Sequence, residues 1–195
     1  MADGRYLTVA DWRAWSRDEV TADDEEIGAA ILSAQQDLDN ACARRFAVAG
    51  ASSARVFTPD RNSQTLIIDD CTTITSIVEN GVTLDASVYQ PEPLNNLSAS
   101  GETVPFDKVK RLTGCWYVEG PKATVTITAP WGWQAIPFPI VESCKIVTKA
   151  TLELRDTRFG LAAILDSGIG ISPREVTAVK RAIAQYEGPK AMGLA

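Results

Sequence analysis

The sequence contains no histidine among its 195 residues. Histidine is the commonest general base, so its absence excludes Ser-His-Asp and Cys-His nucleophile pairs and most transition-metal sites. The sequence also lacks a P-loop, a GxGxxG dinucleotide loop and the GxSxG pattern of α/β-hydrolases. These absences predict a protein that is not an enzyme and that binds no cofactor or metal.

Long apolar runs and targeting segments are missing as well. The most apolar late stretch, residues 131–141, is interrupted by Pro137 and Pro139, so no segment has the length of a membrane span. The N-terminus lacks the basic and then apolar layout of a signal peptide, which predicts synthesis in the cytoplasm. The apolar fraction of 45% is ordinary for a chain that buries a core of its own.

Cysteine is present, but not in a pattern that binds zinc. The four cysteines are Cys42, Cys71, Cys115 and Cys144. They are far apart and form no CxxC pair, whereas zinc ligands usually come in close pairs. We expect four buried, reduced thiols.

Basic residues are in the minority and unevenly distributed. The net charge of −6 argues against a general nucleic-acid binder. Residues 1–47 carry 5 basic and 10 acidic side chains (net −5), residues 137–195 carry 8 and 6 (net +2), and residues 48–136 supply −3. Opposite-signed segments favour a heterologous contact between neighbouring copies, although pairing of the two segments within one subunit is nearly as well supported.

Apolar residues recur at helical spacing near both ends of the chain. This spacing predicts helices at 8–16, 22–46, 138–156 and 173–186, the last beginning with Ser172 as N-cap and Pro173. The longest of them has the clearest boundaries. Thr21 is its predicted N-cap, residues 23–26 place four carboxylates at the positive end of the helix dipole, and Arg44 and Arg45 would close its last turn.

The middle of the chain changes to short β-rich runs. Asn80-Gly81 is a strong hairpin signal between two of them. We predict strands in the following ranges: 54–58, 65–69, 74–79, 82–84, 87–90, 109–112, 115–118 and 123–129. Residues 94–104 are predicted to form a polar loop.

Together these elements predict an α+β fold in a single domain over residues 1–195. Two N-terminal and two C-terminal helices form a bundle, with a small antiparallel β-sheet inserted between them. The helical core spans residues 6–46 and 137–187, and the β insertion spans residues 54–133. A C-terminal tail follows at residues 188–195.

Three groups of residues have alternative chemical interpretations. Adjacent Asp69 and Asp70 on a strand point to opposite faces, so they are not expected to act together on a substrate. Residues 23–26 lack the spacing of a calcium loop. The small basic cluster, made of Lys108, Lys110 and Arg111, is a weak candidate for nucleic-acid binding.

The Trp131-Gly132-Trp133 element lies where the strand region gives way to helix. Two indoles on either side of a glycine suit a packing role at this junction. A pair of aromatic side chains that binds a ligand is the less favoured alternative.

Taken in order, the motifs along the whole chain resemble the head-to-tail connector, or adaptor, proteins of long-tailed bacteriophages. The segments that carry the resemblance are YLTVADWRAW, the acidic-capped helix ending in ARRF, RVFTPD, LIIDD followed by ITSIVENGVTL, TAPWGW, and LRDTRFG. The pattern departs from the family at residues 94–104 and in the longer loop at residues 161–171.

The resemblance implies a structural virion protein at the head–tail junction, made in the cytoplasm of the bacterial host. It would form a homo-oligomeric ring of twelve copies below the portal protein and offer a docking surface to the next neck or tail-completion protein. DNA would pass through its channel without specific binding, because an acidic wall repels phosphates. The family has no catalytic residues, so none are transferred to this chain.

Three surfaces are candidates for these contacts. The acidic turn formed by Asp23, Asp24, Glu25 and Glu26 would be an inter-subunit charge face. The tail would reach the portal through Gly188, Pro189, Met192 and Leu194. The glycine-rich loop would contact a ring neighbour or the next neck protein through Leu161, Ile164, Leu165, Ile169 and Ile171. A loop folded on its own core and a frayed terminus is the alternative for the last two.

Two other function classes stay open at this point. One is a different virion or tail component on a similar scaffold, which its position in the particle would distinguish. The other is an enzyme that uses two carboxylates, which a cleft with convergent Asp or Glu of raised pKa would indicate.

Overall fold

A computed structural model describes residues 5–17, 21–98, 101–117, 124–156 and 176–188. The chain divides into two compact units. One is formed by the chain up to Arg44 together with Ile136–Gly188, and the other by Arg45–Ala135. The first is helical and the second is built from strands, which confirms the predicted α+β class. The predicted organisation as a single domain over residues 1–195 stays a prediction.

The helical unit takes helices from both ends of the chain. Its described residues form α1 (Val9–Ser16), α2 (Asp24–Cys42), α3 (Phe138–Asp156) and α4 (Thr177–Tyr186). Helix α2 packs against both α3 and α4, as the predicted bundle requires. Ile31 of α2 and Ile140 of α3 are fully buried, and each contributes roughly 1.5–3 kcal/mol. Among the described residues, no helix has the length and hydropathy to span a membrane.

Helix α2 is shorter than predicted at both ends. Asp23, not Thr21, is its N-cap, because Asp23 accepts from the Glu26 amide and the Glu26 carboxylate accepts from the Asp23 amide. At the other end Ala43 adopts a left-handed conformation (φ 50°), so the last turn contains neither Arg44 nor Arg45. The N-cap and the basic last turn were therefore both predicted wrongly.

The inward face of α3 also differs in part from the prediction. The apolar stripe expected from helical spacing consists of Ile140, Cys144, Val147, Thr151 and Leu154. In α3 Leu154 is 47% exposed, and Leu152 is buried in its place. Thr148 is buried too, and its hydroxyl donates to the Cys144 carbonyl at 2.7 Å, which satisfies the polar group. The predicted start of α4 at Ser172 and Pro173 lies outside the described residues.

The strand unit forms two antiparallel sheets where one was predicted. The strands are β1 (Ser53–Phe57), β2 (Thr65–Cys71), β3 (Ser76–Glu79), β4 (Val82–Thr83), β5 (Tyr89–Glu92), β6 (Phe106–Arg111) and β7 (Val125–Ala129). One sheet has the order β1-β7-β3-β4 and the other the order β2-β6-β5. Val125, Ile127 and Ala129 of central β7 alternate inward, and the core of this unit includes them and Ile77.

Two segments of this unit differ from their predicted conformation. Residues 115–117 are not a strand: Gly114 has a positive φ of 73°, and the Trp116 amide donates to the Ser63 carbonyl at 3.0 Å. The predicted polar loop contains a bridge between Leu97 and Thr103. Backbone hydrogen bonds therefore order the base of that loop.

Candidate functional site

The acidic first turn of α2 has two separate tasks within its own subunit. Asp23 and Glu26 form the capping box described above. Asp24 accepts from the Nε atom of Arg13 at 2.9 Å, and Arg13 also donates to the Ala22 carbonyl at 2.7 Å. Three of the four carboxylates of the predicted charge face thus stabilise the helix start, while the exposed Glu25 side chain has no hydrogen bond or ion pair within the described residues.

An open groove of about 530 Å³ lies between this turn and the C-terminal half of α3. Its apolar surface comes from Ala29, Ala30 and Leu152. Its carboxylates come from the first turn of α2. The full lining is Asp23, Glu25, Glu26, Ala29, Ala30, Ser33, Thr151 and Leu152. This groove is not among the surfaces predicted from the sequence. The available signal was the small side chains of Ala29 and Ser33, one turn apart on α2 and both exposed.

The described part of the predicted docking tail is fixed in its own subunit. Gly188 is buried, and its amide donates to the Cys42 carbonyl at 2.8 Å. A Cβ atom on Gly188 would lie 3.0 Å from the Ala43 carbonyl oxygen, so the chain passes close to the end of α2. Residues Pro189, Met192 and Leu194 lie outside the described residues, and the docking role of the tail stays a prediction.

The second predicted docking segment falls entirely outside the described residues. Its members are Leu161, Ile164, Leu165, Ile169 and Ile171. Their predicted contact with a ring neighbour or neck protein stays a prediction.

The Trp131-Gly132-Trp133 element packs within the strand unit. Trp131 and Trp133 are 8% and 1% exposed. The Trp131 indole N–H donates to the Ser53 carbonyl at 2.8 Å, and the Trp133 indole N–H donates to Asp70 Oδ2 at 2.9 Å. Because both indoles are buried and their N–H groups are bonded, the packing interpretation is preferred to a ligand-binding pair.

Asp69 and Asp70 point away from each other, as predicted for adjacent strand residues. Asp69 pairs with Arg55 at 2.6 Å on the surface, whereas Asp70 accepts from the buried Trp133 indole. The Arg55 guanidinium also lies 4.7 Å from the centroid of the Trp131 ring. The two carboxylates therefore do not converge on one substrate.

Within the small basic cluster, Arg111 is engaged inside the strand unit. Arg111 forms an ion pair with Glu79, a carboxylate that is 91% buried and also accepts from the Tyr117 amide at 2.7 Å. The Arg111 guanidinium lies 5.6 Å from the ring centroid of Trp116, which is itself only 2% exposed. Because Arg111 is paired with Glu79 and the Trp116 ring beside it is buried, this pair does not favour a nucleic-acid surface here.

Three of the four cysteines are buried as predicted, and Cys115 is exposed instead. Burial raises the pKa of Cys42 to about 11, that of Cys71 to about 12 and that of Cys144 to about 12. These thiols are therefore protonated at neutral pH, which is typical of packing residues. Within the described part of the chain, no three His, Cys, Asp or Glu side chains are grouped so that they could hold a metal.

No family model and no curated protein matches the sequence, but solved structures match the fold. One is a chain from the neck of an empty gene transfer agent (GTA) particle computed with C6 symmetry. It matches with a TM-score of 0.58 and 16% identity, covering 100% of this chain and 95% of that chain.

Two further structures give the same coverage. A chain in the neck of the native GTA particle, computed with C12 symmetry, also has a TM-score of 0.58 and 16% identity. A chain in the virion of the native particle has a TM-score of 0.53 and 16% identity. At this identity the likeness shows a shared fold over the whole chain.

Proposed function

We propose that this protein is a structural component of the neck of a phage-like particle, located at the head–tail junction. The observation that carries the proposal is the fold likeness to neck chains over 100% of this sequence and 95% of theirs. The motif order along the sequence supports the same assignment independently of the fold. The absence of histidine and the divergence of Asp69 and Asp70 favour a role without catalysis.

The protein forms a closed ring in this proposal, with twelve copies as the expected number. The supporting observation is that one of the matching neck structures was computed with C12 symmetry. A ring is built from heterologous contacts, in which one face of each subunit meets a different face of the next. The acidic turn formed by Asp23–Glu26 is the proposed charge face of such a contact.

The ring sits below the portal protein and continues the DNA channel. The tail at residues 188–195 reaches the portal through Pro189, Met192 and Leu194, starting from Gly188, which is fixed at the end of α2. The segment containing Leu161 meets a neighbouring subunit or the next neck protein. The excess of acidic residues, net −6, allows DNA to move past without being held.

Imaging tests the position directly. Cryo-electron microscopy of the particle that carries this protein should show its density as a ring between the head vertex and the tail. Density in the tail tube or on the head surface would instead indicate another virion component. Absence of the protein from purified particles would overturn the structural role altogether.

A truncation tests the portal contact. Deletion of residues 189–195 should leave the circular dichroism spectrum and melting temperature unchanged, because Gly188 retains its bond to Cys42. The same deletion should weaken capture of the protein by purified portal rings. A matched variant in which residues 189–195 are replaced by a glycine-serine segment of equal length separates sequence from length. Unchanged portal capture by both variants would exclude the tail as the docking element.

A further inference from the structure

The groove between α2 and α3 is not needed to explain the fold of the helical unit. Its floor is apolar and its rim is acidic, so it suits a cationic side chain with a long aliphatic stem. We propose that this groove receives the cationic face of α4 from a second copy of the chain. The inference rests on the proposed ring and identifies the two faces that would meet in it.

Helix α4 presents a suitable partner surface. Val179, Ala182 and Tyr186 point inward, and Lys180 and Arg181 are exposed. Neither cation forms an ion pair or side-chain hydrogen bond with another described residue. Two adjacent cations on an exposed helix face match a groove whose rim carries three carboxylates.

The two surfaces are made by different residues of the helical unit. The groove is formed by the first turns of α2, near Glu25 and Ala29. The end of α4 lies against the other end of α2, where the Gly188 amide donates to the Cys42 carbonyl. Helix α2 has 19 residues, a length of about 28 Å. In the proposed ring the contact between groove and α4 is heterologous, because the groove of each copy meets α4 of the next copy while its own α4 meets a different copy.

Glu25 is the carboxylate that can best provide the attraction. Asp23 and Glu26 hold the capping box, and Asp24 is paired with Arg13. Glu25 is exposed and has no partner within the described residues, so its charge is available to a neighbouring copy. The stems of Lys180 or Arg181 would lie along the apolar floor while their charged ends reach Glu25.

A charge-swap experiment on the full-length chain tests this contact. Glu25→Lys and the double substitution Lys180→Glu/Arg181→Glu each place like charges together. Either should weaken subunit association by about tenfold or more, measured by sedimentation velocity and native mass spectrometry. Combining all three substitutions should restore association. Asp60→Lys makes the same charge change as Glu25→Lys at an exposed position outside the groove, and should leave association unchanged.

Salt provides a second measurement on the same variants. Wild-type association should weaken between about 0.15 M and about 1 M NaCl, where the Debye length falls from about 8 Å to about 3 Å. The charge-swapped triple variant should show the same salt dependence. In the single-sided variants added salt should no longer weaken association, because it screens the repulsion between like charges.

The outcomes separate the contact from the ring. The wild-type protein is expected to form rings, either by itself or when bound to purified portal rings. If it never does so, the proposed function fails together with the contact. If it forms rings and the single-sided variants assemble like Asp60→Lys, only the contact is wrong. If Glu25→Lys leaves assembly intact, the inference is overturned, whether or not the melting temperature falls through the helix dipole. Failure of the triple variant to recover association also overturns it.

Discussion

The Trp133 indole N–H donates to the carboxylate of Asp70 at 2.9 Å, and the same tryptophan also contacts a second chain segment, at residues 46–47. The Trp133 backbone amide donates to the Ala47 carbonyl at 2.8 Å, and its ring centroid lies 5.2 Å from that of Phe46. Phe46, which was predicted to end the long helix, instead packs in the strand unit. Asp70 thus supports the end of the β insertion, while its neighbour Asp69 faces the surface.

Removal of the Asp70 carboxylate should destabilise the protein. Asp70→Ala leaves a buried indole donor without this acceptor, so the free energy of unfolding should fall by about 1–3 kcal/mol. Asp69→Ala is the matched control. Its ion pair with Arg55 joins side chains that are 56% and 46% exposed, and such pairs contribute about 0–1 kcal/mol. Urea denaturation measures both, and equal losses would contradict the assigned role of Asp70.

Gly132 should not tolerate a side chain. Its φ is 124°, and a Cβ atom would lie 2.3 Å from the Ala47 carbonyl oxygen. Gly132→Ala should therefore lower the free energy of unfolding by about 3 kcal/mol or more, combining backbone strain with a clash against main chain.

Gly50→Ala provides the comparison for Gly132. No atom lies within 4 Å of a Cβ atom on Gly50, and its φ is not in the left-handed region. This substitution should change stability by less than about 1 kcal/mol, in either direction. Similar melting temperatures for the two variants would show that the Trp131-Gly132-Trp133 segment can shift to accept a side chain.

For the described residues, the sequence was sufficient to predict where the helices and most of the strands lie, although residues 115–117 are not the strand expected. Periodicity is local, so Ile27 and Ile31 indicate one buried helix face without any knowledge of the partner. Strand pairing is not local. Thr65 of β2 pairs with Lys110 of β6, and Ser53 of β1 pairs with Ala129 of β7. Nothing in the period-2 pattern specifies these partners, and this is why one sheet was predicted where two exist.

The groove could not be predicted for a related reason. Ala29 and Ser33 indicate only a small-residue face, and Thr151 and Leu152 reach it through the packing of α3 on α2. The predicted α3 stripe pointed instead to Leu154, which is exposed. Local propensity thus identifies the elements, while tertiary packing decides which residues line the surface between them.

The start of α2 offers a direct test of a corrected prediction. Asp23→Ala removes the acceptor for the Glu26 amide and should cost about 1 kcal/mol of unfolding free energy. Thr21→Ala, at the N-cap expected from sequence, should be within about 0.5 kcal/mol of wild type, because Thr21 lies outside the helix. If the Thr21 variant is the less stable one, the helix begins earlier than the structure shows.

The exposed thiol should react before the others. Cys115 is exposed, whereas burial raises the pKa values of Cys42, Cys71 and Cys144 to about 11 or 12. At about pH 8, iodoacetamide should modify one site per folded chain quickly, and peptide mass spectrometry should locate it at Cys115. Cys115→Ser should remove the fast phase. Fast labelling of Cys144 in the folded protein would contradict its burial.

The same three thiols should make stability depend on alkaline pH. Their pKa values in the folded state lie above the value of about 8.5 expected when unfolded, so the unfolded chain loses these protons first. The stabilisation is therefore complete below about pH 8.5 and is lost as pH rises toward the folded values of about 11 to 12.

Cys144→Ala should reduce the downward slope of unfolding free energy above about pH 9 by about 1.4 kcal/mol per pH unit, the full effect of one proton. Cys115→Ser should retain the wild-type slope. Identical slopes for wild type and Cys144→Ala in urea titrations across this range would show that Cys144 ionises as freely in the folded protein as in the unfolded chain.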